Sequence, residues 1–122
     1  MEQDRQPKPL YWVGSSKQDL QCLPEGVQQT VGFALHLAQT GGRHLQSKVL
    51  RGFSGAGVLE VVEDHDGNTY RAVYTVRLGV AVYVLHCFQK KSNAGIKTPQ
   101  TDIALVRNRL KLAQAHSEGI QT

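Results

Sequence analysis

The sequence has few cysteines and no long apolar run. Only two of its 122 residues are cysteine, Cys22 and Cys87, and no residues have the spacing of zinc ligands. No apolar stretch approaches the roughly 20 residues that a membrane-spanning helix needs. The polar start MEQDRQPKP is unlike a signal peptide. These absences predict a cytoplasmic protein with two reduced thiols, no metal or other cofactor, and no membrane partner.

Acidic residues are scarce in the second half of the chain. The net charge is +4 overall, but between Gly67 and Lys111 eight lysines and arginines accompany a single carboxylate, that of Asp102. This asymmetry favours an anionic partner, which is a nucleic acid, an acidic protein or a membrane surface. No basic amphipathic helix typical of membrane binding is present, so a nucleic acid or an acidic protein is favoured.

Two glycine-containing turns define the predicted sheet. Asp66-Gly67 and Gly79-Val80 separate three β-patterned runs, and glycine supplies the positive φ that tight hairpins require. Counting outward from these turns places Arg71 opposite both Val62 and Phe88. The turns therefore fix the register of a three-stranded meander, and a slip of one residue would exchange its faces.

Alternation along these strands places chemically different residues on two faces. The first face carries Glu60, Val62, Arg71, Val73, His86, Phe88 and Lys90. The second is almost wholly apolar and is the predicted core face, with Leu59, Val61, Ala72, Tyr74, Val76, Tyr83, Leu85 and Cys87. On the first face we predict a solvent-accessible hollow in which cations lie beside a histidine and an exposed aromatic ring. Such a hollow could hold a phosphodiester.

The flanking segments predict further elements. Leu10–Val13 is typical of a short strand, and a helical hairpin follows within residues 17–41. Residues 43–57 are glycine-rich and predict a loop that could lie at the sheet edge. A last helix is predicted to begin at Gln100 or Thr101.

Together these elements predict one α+β domain. Its antiparallel sheet consists of the short N-terminal strand and the meander, with the helical hairpin on one side and the C-terminal helix packed at the sheet's end or on its other face. We predict that residues 1–9 are a disordered tail, residues 10–116 form the domain, and residues 117–122 are a C-terminal tail.

Three short motifs occur in order along the chain. They are Leu50-Arg51-Gly52, YRxxY at residues 70–74, and an aromatic-x-Lys-Lys unit that ends at Lys91. With these motifs and the helices around them, the chain from Tyr11 to Leu112 resembles the RelE-like and HigB-like toxins of bacterial type II toxin-antitoxin modules. The resemblance is to the phage-derived HigB-like branch in particular, and it implies a RelE-like fold.

The resemblance also implies a function. Such toxins are ribosome-dependent endonucleases that cut mRNA in the ribosomal A site without a metal, arrest translation and growth, and are neutralised by a cognate antitoxin, commonly a helix-turn-helix protein. In that reaction a ribose 2′-hydroxyl attacks the adjacent phosphate, which requires a base, cations and an acid. Arg71 and Lys90 match the family's basic positions. His86 is the best available acid or base because imidazole titrates near neutrality.

The predicted site is therefore divided into two groups. The catalytic residues are Arg71, His86 and Lys90, and the RNA-binding residues are Lys91, Phe88, Arg51, Lys48 and Arg77. Phe88 is assigned to stacking on an unpaired base.

Other interpretations stay open. Arg71 could instead be a structural arginine paired with a carboxylate such as Glu60, and His86 could be half-buried under the C-terminal helix. Many RelE-like toxins carry lysines where this chain has Glu60 and Val62, and a tyrosine after the last basic residues that this chain lacks. These departures leave two alternatives, which are a ParE-like toxin that inhibits DNA gyrase by protein contact and a non-toxic binding module with the toxin fold.

Overall fold

A computed structural model of the chain describes residues 6–53, 55–90 and 98–121. The strands and helices within these ranges are, in chain order, β1 (Leu10–Trp12), α1 (Ser16–Gln21), α2 (Glu25–Gln39), β2 (Ser47–Val49), β3 (Val58–His65), β4 (Asn68–Leu78), β5 (Ala81–Lys90) and α3 (Gln100–Gln121).

The described strands form one sheet in the order β1-β5-β4-β3-β2. β1 runs parallel to β5, and the other neighbours are antiparallel. The predicted α+β class is confirmed. The predicted loop over residues 43–57 is wrong at its centre, because Ser47–Val49 forms an edge strand along β3. Three residues, two of them exposed, are too few to show the alternation that identifies a strand in a sequence.

Both predicted turns are present. Asp66 and Gly67 have φ values of 50° and 81°, and Gly79 has a φ of 61°. A positive φ at both central residues is the conformation that tight hairpins favour. Arg71 pairs with Val62 on one side and with Phe88 on the other, as the turn chemistry predicts.

The predicted faces are wrong at one end of β5. Val73 pairs with His86, but the next residue of β4, Tyr74, pairs with Val84, so Leu85 is an extra residue in a β-bulge. Beyond the bulge the alternation reverses. Tyr83 and Leu85 belong to the apolar cluster that contains residues of α3, whereas Val84 belongs to the cluster that contains residues of α1 and α2.

Both faces of the sheet are covered. α2 buries Val27, Val31, Ala34, Leu35 and Ala38 against the second face, the predicted core face, with the spacing of an amphipathic helix. α3 buries Val106, Leu110 and Ala113 against the first face, which carries Val73 and Phe88. Each buried valine or leucine contributes about 1.5–3 kcal/mol relative to an exposed one. The packing of α3 on the first face is the feature that decides how accessible the candidate site is.

The two ends of the described chain are both in contact with the domain. The Lys8 amide donates a hydrogen bond to the Gln39 carbonyl oxygen at 2.8 Å, and Gln39 Nε2 donates to the Lys8 carbonyl oxygen at 2.8 Å. α3 continues through Gln121, and Ser117 is buried. The division into a domain and two tails stays a prediction. Of the helices in the described ranges, none has both the length and the apolar character required to cross a bilayer.

The two thiols are free and differ in environment. Cys22 is exposed, whereas Cys87 is buried in the core beside α1 and α2. Burial raises the pKa of the Cys87 thiol to about 12. The thiolate is the nucleophilic form of cysteine, and this shift removes it at neutral and mildly alkaline pH.

Alkylation therefore should separate the two cysteines. At pH 8 we expect iodoacetamide to modify Cys22 at least about tenfold faster than Cys87 in the folded protein, as read by mass spectrometry of tryptic peptides. A Cys22→Ser variant is the control and should remain unmodified until it is denatured. Equal rates at the two positions in native protein would contradict the burial of Cys87.

Candidate functional site

Arg71 lies in the middle of β4 and forms a buried ion pair. Its Nη1 is 2.9 Å from Glu60 Oε1 on β3 and 3.2 Å from Thr98 Oγ1. The Thr98 hydroxyl donates a hydrogen bond to Glu60 Oε2 at 2.8 Å. Both carboxylate oxygens thus have donors. The contacts of Arg71 therefore match the alternative interpretation, in which this arginine is paired with Glu60.

The ion pair is nearly inaccessible to solvent. Arg71 is 3% exposed and Glu60 is 1% exposed. Removing two charges from water costs several kcal/mol for each ion, and the mutual attraction and additional hydrogen bonds must offset that cost. Thr98 supplies one of these bonds from the residues just before α3. The ion pair therefore links β3, β4 and the start of α3.

His86 lies on β5 under α3, where it pairs with Val73, two residues along β4 from Arg71. Its Nε2 is 2.7 Å from Asp102 Oδ1 in the first turn of α3. The imidazole is stacked on the Phe88 ring, with the centroids 4.4 Å apart and the planes 15° apart. His86 Nδ1 is buried and has no hydrogen-bond partner among the described residues. With Nε2–H donating to Asp102, Nδ1 is the ring nitrogen that could accept a proton.

The expectation of a solvent-accessible hollow is wrong for three of its members. Arg71 is buried, and His86 and Phe88 are 7% and 9% exposed. These side chains are covered because α3 packs its apolar stripe against Val73, Leu85 and their neighbours. The interpretation of His86 as a histidine under the C-terminal helix describes its position correctly.

Lys90 is the most accessible of the three predicted catalytic residues. It is half-buried near the end of β5, opposite Thr69. Partial desolvation lowers the pKa of Lys90, and so do the positive charges of Arg71 and Lys48, whereas the charge of Glu60 raises it. Lys48 is exposed on β2, opposite Glu60. We call Lys48, Arg71 and Lys90, with Glu60 between their charges, the Lys90 cluster.

The remaining predicted residues do not join this cluster. Arg51 and Arg77 line a separate cavity together with Lys8 and Arg43. Lys91 lies outside the described residues. Within the described ranges, no group of three or more histidine, cysteine, aspartate or glutamate side chains is arranged to hold a metal ion.

Two residues that contact the site have no role in the sequence-based prediction. They are Thr98, which bonds both members of the ion pair, and Asp102, which bonds His86. Asp102 could have been found, since it is the single carboxylate in the basic segment and lies in the first turn of a predicted helix. Thr98 carries no comparable signal.

The Lys90 cluster can hold an anion. Three cations share one carboxylate, and that carboxylate already accepts bonds from Arg71 and Thr98. Two exposed or half-exposed ammonium groups remain at the surface, and lysine is a common point-charge contact for phosphate. The neighbouring Asp102–His86 pair supplies an oriented imidazole of the kind used in acid-base chemistry, at present enclosed by α3.

A family model matches most of the chain. The model of a family described as phage derived protein Gp49-like (DUF891) matches residues 18–111. The matched range runs from α1 into α3 and includes the whole Lys90 cluster together with His86 and Asp102. No curated protein and no solved structure matches the chain.

Proposed function

The chain belongs to the Gp49-like family of phage-derived proteins, a toxin-like family of the RelE/HigB superfamily, and we propose that it is the toxin of a type II toxin-antitoxin module. Its partner in that module is an antitoxin that neutralises it. We further propose that the toxin is a metal-independent endoribonuclease that cuts mRNA in the ribosomal A site and so inhibits translation.

One observation supports the ribonuclease proposal above the others. Partial desolvation lowers the pKa of Lys90, the nearby charges of Arg71 and Lys48 lower it further, and a single carboxylate, that of Glu60, opposes them. An excess of positive charge at a partly exposed site favours a phosphodiester, which carries one negative charge and gains another in the transition state of cleavage.

The proposed roles follow from the chemistry of each group. The 2′-oxygen bonds to phosphorus, the bond from phosphorus to the 5′-oxygen breaks, and one proton moves from the first oxygen to the second through the site. Lys90, whose pKa is lowered, contacts the phosphate and donates the proton to the 5′-oxygen. Lys48 contacts the neighbouring phosphate. The buried guanidinium of Arg71 adds positive charge beneath the phosphate.

His86 is the proposed base. Asp102 holds its Nε2 and leaves Nδ1 as the acceptor. Because Nδ1 is buried, RNA can reach this atom only when the groups that cover it move. Phe88, stacked beneath the imidazole, orients His86 in this proposal and does not itself stack on a base.

A second function, ParE-like inhibition of DNA gyrase by protein contact, is favoured by a different observation. Arg71 and His86 are engaged with Glu60 and Asp102 and are almost fully covered. These contacts suit a structural network as well as a catalytic one. In that case the toxin would act through its exposed surface and would need no group from the Lys90 cluster.

Substitution of Lys90 tests the proposed site without disturbing the buried ion pair. We expect induced wild-type protein to arrest bacterial growth and to leave cuts in mRNA that primer extension maps to codons in the A site. Lys90→Gln should lower the cleavage rate by about 10²–10⁴-fold, the usual effect of removing a general acid, and growth should recover. Lys111→Gln removes an exposed cation on α3 and is the matched control.

The outcomes separate the two functions. Undiminished cleavage by Lys90→Gln would show that the site is misassigned. Growth arrest with intact mRNA, together with loss of supercoiling by purified gyrase in the presence of the protein, would replace the ribonuclease proposal with gyrase inhibition. Soluble wild-type protein with no effect on growth would contradict the toxin proposal itself.

A further inference from the structure

A cavity of about 640 Å³ lies at the opposite end of β4 from Lys90. It is bounded by the C-terminal end of α2, by β2 and the glycine-rich residues after it, and by the ends of β3 and β4. Arg77 in its wall is six residues along β4 from Arg71, which at the rise of a strand is about 20 Å. The Arg77 side of the cavity is therefore far from Arg71 and Lys90, whereas Lys48 of the Lys90 cluster directly precedes Val49 of the lining.

The charges around this cavity have one sign. Its lining includes Lys8, Arg43, Arg51 and Arg77, and no carboxylate belongs to the described lining residues. Arg43, Arg51 and Arg77 are exposed. An unneutralised group of four cations, three of them arginines, favours a ligand that carries carboxylates or phosphates, because the guanidinium fork matches both groups.

The rest of the lining is mostly apolar. Leu50, Phe53, Val58, Leu59 and Val76 form this part of the wall, and the exposed Val49 of edge strand β2 extends it at the surface. A ligand that fits must therefore present apolar side chains as well as negative charges.

These features favour a peptide over an RNA strand. Single-stranded RNA is usually held by aromatic rings on which its bases stack. Phe53 is the only aromatic residue among the described lining residues, and it is buried with the guanidinium carbon of Arg107 4.7 Å from its ring centroid. One face of this ring is thus already occupied. The cavity has the charge to bind RNA but no ring in a suitable position.

Gly57 fixes one of the cations at the rim. Its φ is +64°, and a Cβ atom at this position would lie 2.4 Å from Cγ of Arg77. The aliphatic part of the Arg77 side chain therefore crosses directly over the Gly57 backbone. Packing of this kind holds a long side chain in place and reduces the entropy that it loses when its guanidinium binds a ligand.

We propose that this cavity binds an acidic amphipathic segment of the antitoxin. Apolar side chains of the segment occupy the wall formed by Leu50, Val58 and Val76, and its carboxylates pair with Arg43, Arg51 and Arg77. The identity of the occupant rests on the proposed toxin function, whereas its chemistry rests on the cavity alone. Such an antitoxin would hold the toxin at a surface that does not include Arg71 or Lys90.

Fluorescence anisotropy with defined probes tests this assignment. The first probe is a labelled eight-residue peptide that alternates glutamate and leucine, and the others are the same peptide with lysine for glutamate and a twelve-nucleotide oligouridine. We expect only the glutamate peptide to bind at the cavity. The double variant Arg43→Gln/Arg77→Gln should weaken this binding at least tenfold. Lys17→Gln/Lys111→Gln removes two exposed cations elsewhere and should bind like wild type.

Each outcome bears on the proposal. Equal peptide binding by the two double variants, or no binding of the glutamate peptide by wild type, would overturn it. Oligouridine binding that is lost only in Arg43→Gln/Arg77→Gln would overturn it in favour of an RNA subsite. A chain that binds the glutamate peptide as expected but does not arrest growth would support the chemistry of the cavity and contradict the toxin function.

Discussion

Replacement of Glu60 by alanine is expected to lower the free energy of unfolding by about 3–5 kcal/mol. The substitution removes the carboxylate that accepts bonds from Arg71 Nη1 and the Thr98 hydroxyl, while the guanidinium stays 3% exposed. A buried cation deprived of its carboxylate retains the full cost of its desolvation. Urea denaturation followed by circular dichroism measures the change.

A double substitution supplies the control for this prediction. Glu60→Leu/Arg71→Met removes both charges and keeps the apolar volume, so it should recover most of the loss that Glu60→Ala causes. A destabilisation by Glu60→Ala below about 1 kcal/mol, the range of an exposed ion pair, would contradict the burial of this pair. Because Arg71→Ala is expected to be similarly destabilising, its loss of toxicity alone would say nothing about catalysis.

Replacement of Val106 by aspartate should detach α3 from the sheet. Val106 is 0% exposed and packs in the same cluster as Val73 and Leu85. A new carboxylate at this position would be buried without a designed partner, and substitutions of that kind cost more than about 4 kcal/mol. The free energy of unfolding should fall by at least this amount, with amide hydrogen exchange accelerated throughout α3.

Leu112 provides a matched control on the same helix. It is 61% exposed, so Leu112→Asp changes the chemistry of α3 identically without burying a charge. We expect an effect within about 0.5 kcal/mol, as for most surface substitutions. If both aspartate variants were equally stable, the packing of α3 across this face would be disproved, and with it the enclosure of His86.

The register of the meander could be predicted because turn chemistry is local. Asp66-Gly67 and Gly79 fix two hairpins within a few residues, and the pairing of Arg71 with Val62 and Phe88 follows by counting. The bulge at Leu85 could not be predicted in this way. Residues 81–88 are all buried, and apart from His86 they are apolar or aromatic, so the sequence there does not distinguish one face from the other.

The enclosure of the site depends on contacts between distant segments. An apolar stripe predicts that α3 is an amphipathic helix, but the stripe is equally suited to the sheet's end or to its open face. Asp102 meets His86, and Thr98 meets Arg71, only once α3 has packed. Residue types therefore identified the members of the cluster, whereas their accessibility was set by tertiary packing.

The parallel pairing of β1 with β5 constrains how the polypeptide can mature. Leu10 lies opposite Val82, so β1 finds its partner only after the segments between them have been synthesised, and closing so long a loop carries an entropic cost. A product of interrupted translation that ends before residue 81 lacks β5 and α3 together. Incomplete copies therefore retain at most the β2-β3-β4 part of the sheet and leave β1 without a partner, and we expect them to be substrates for proteolysis.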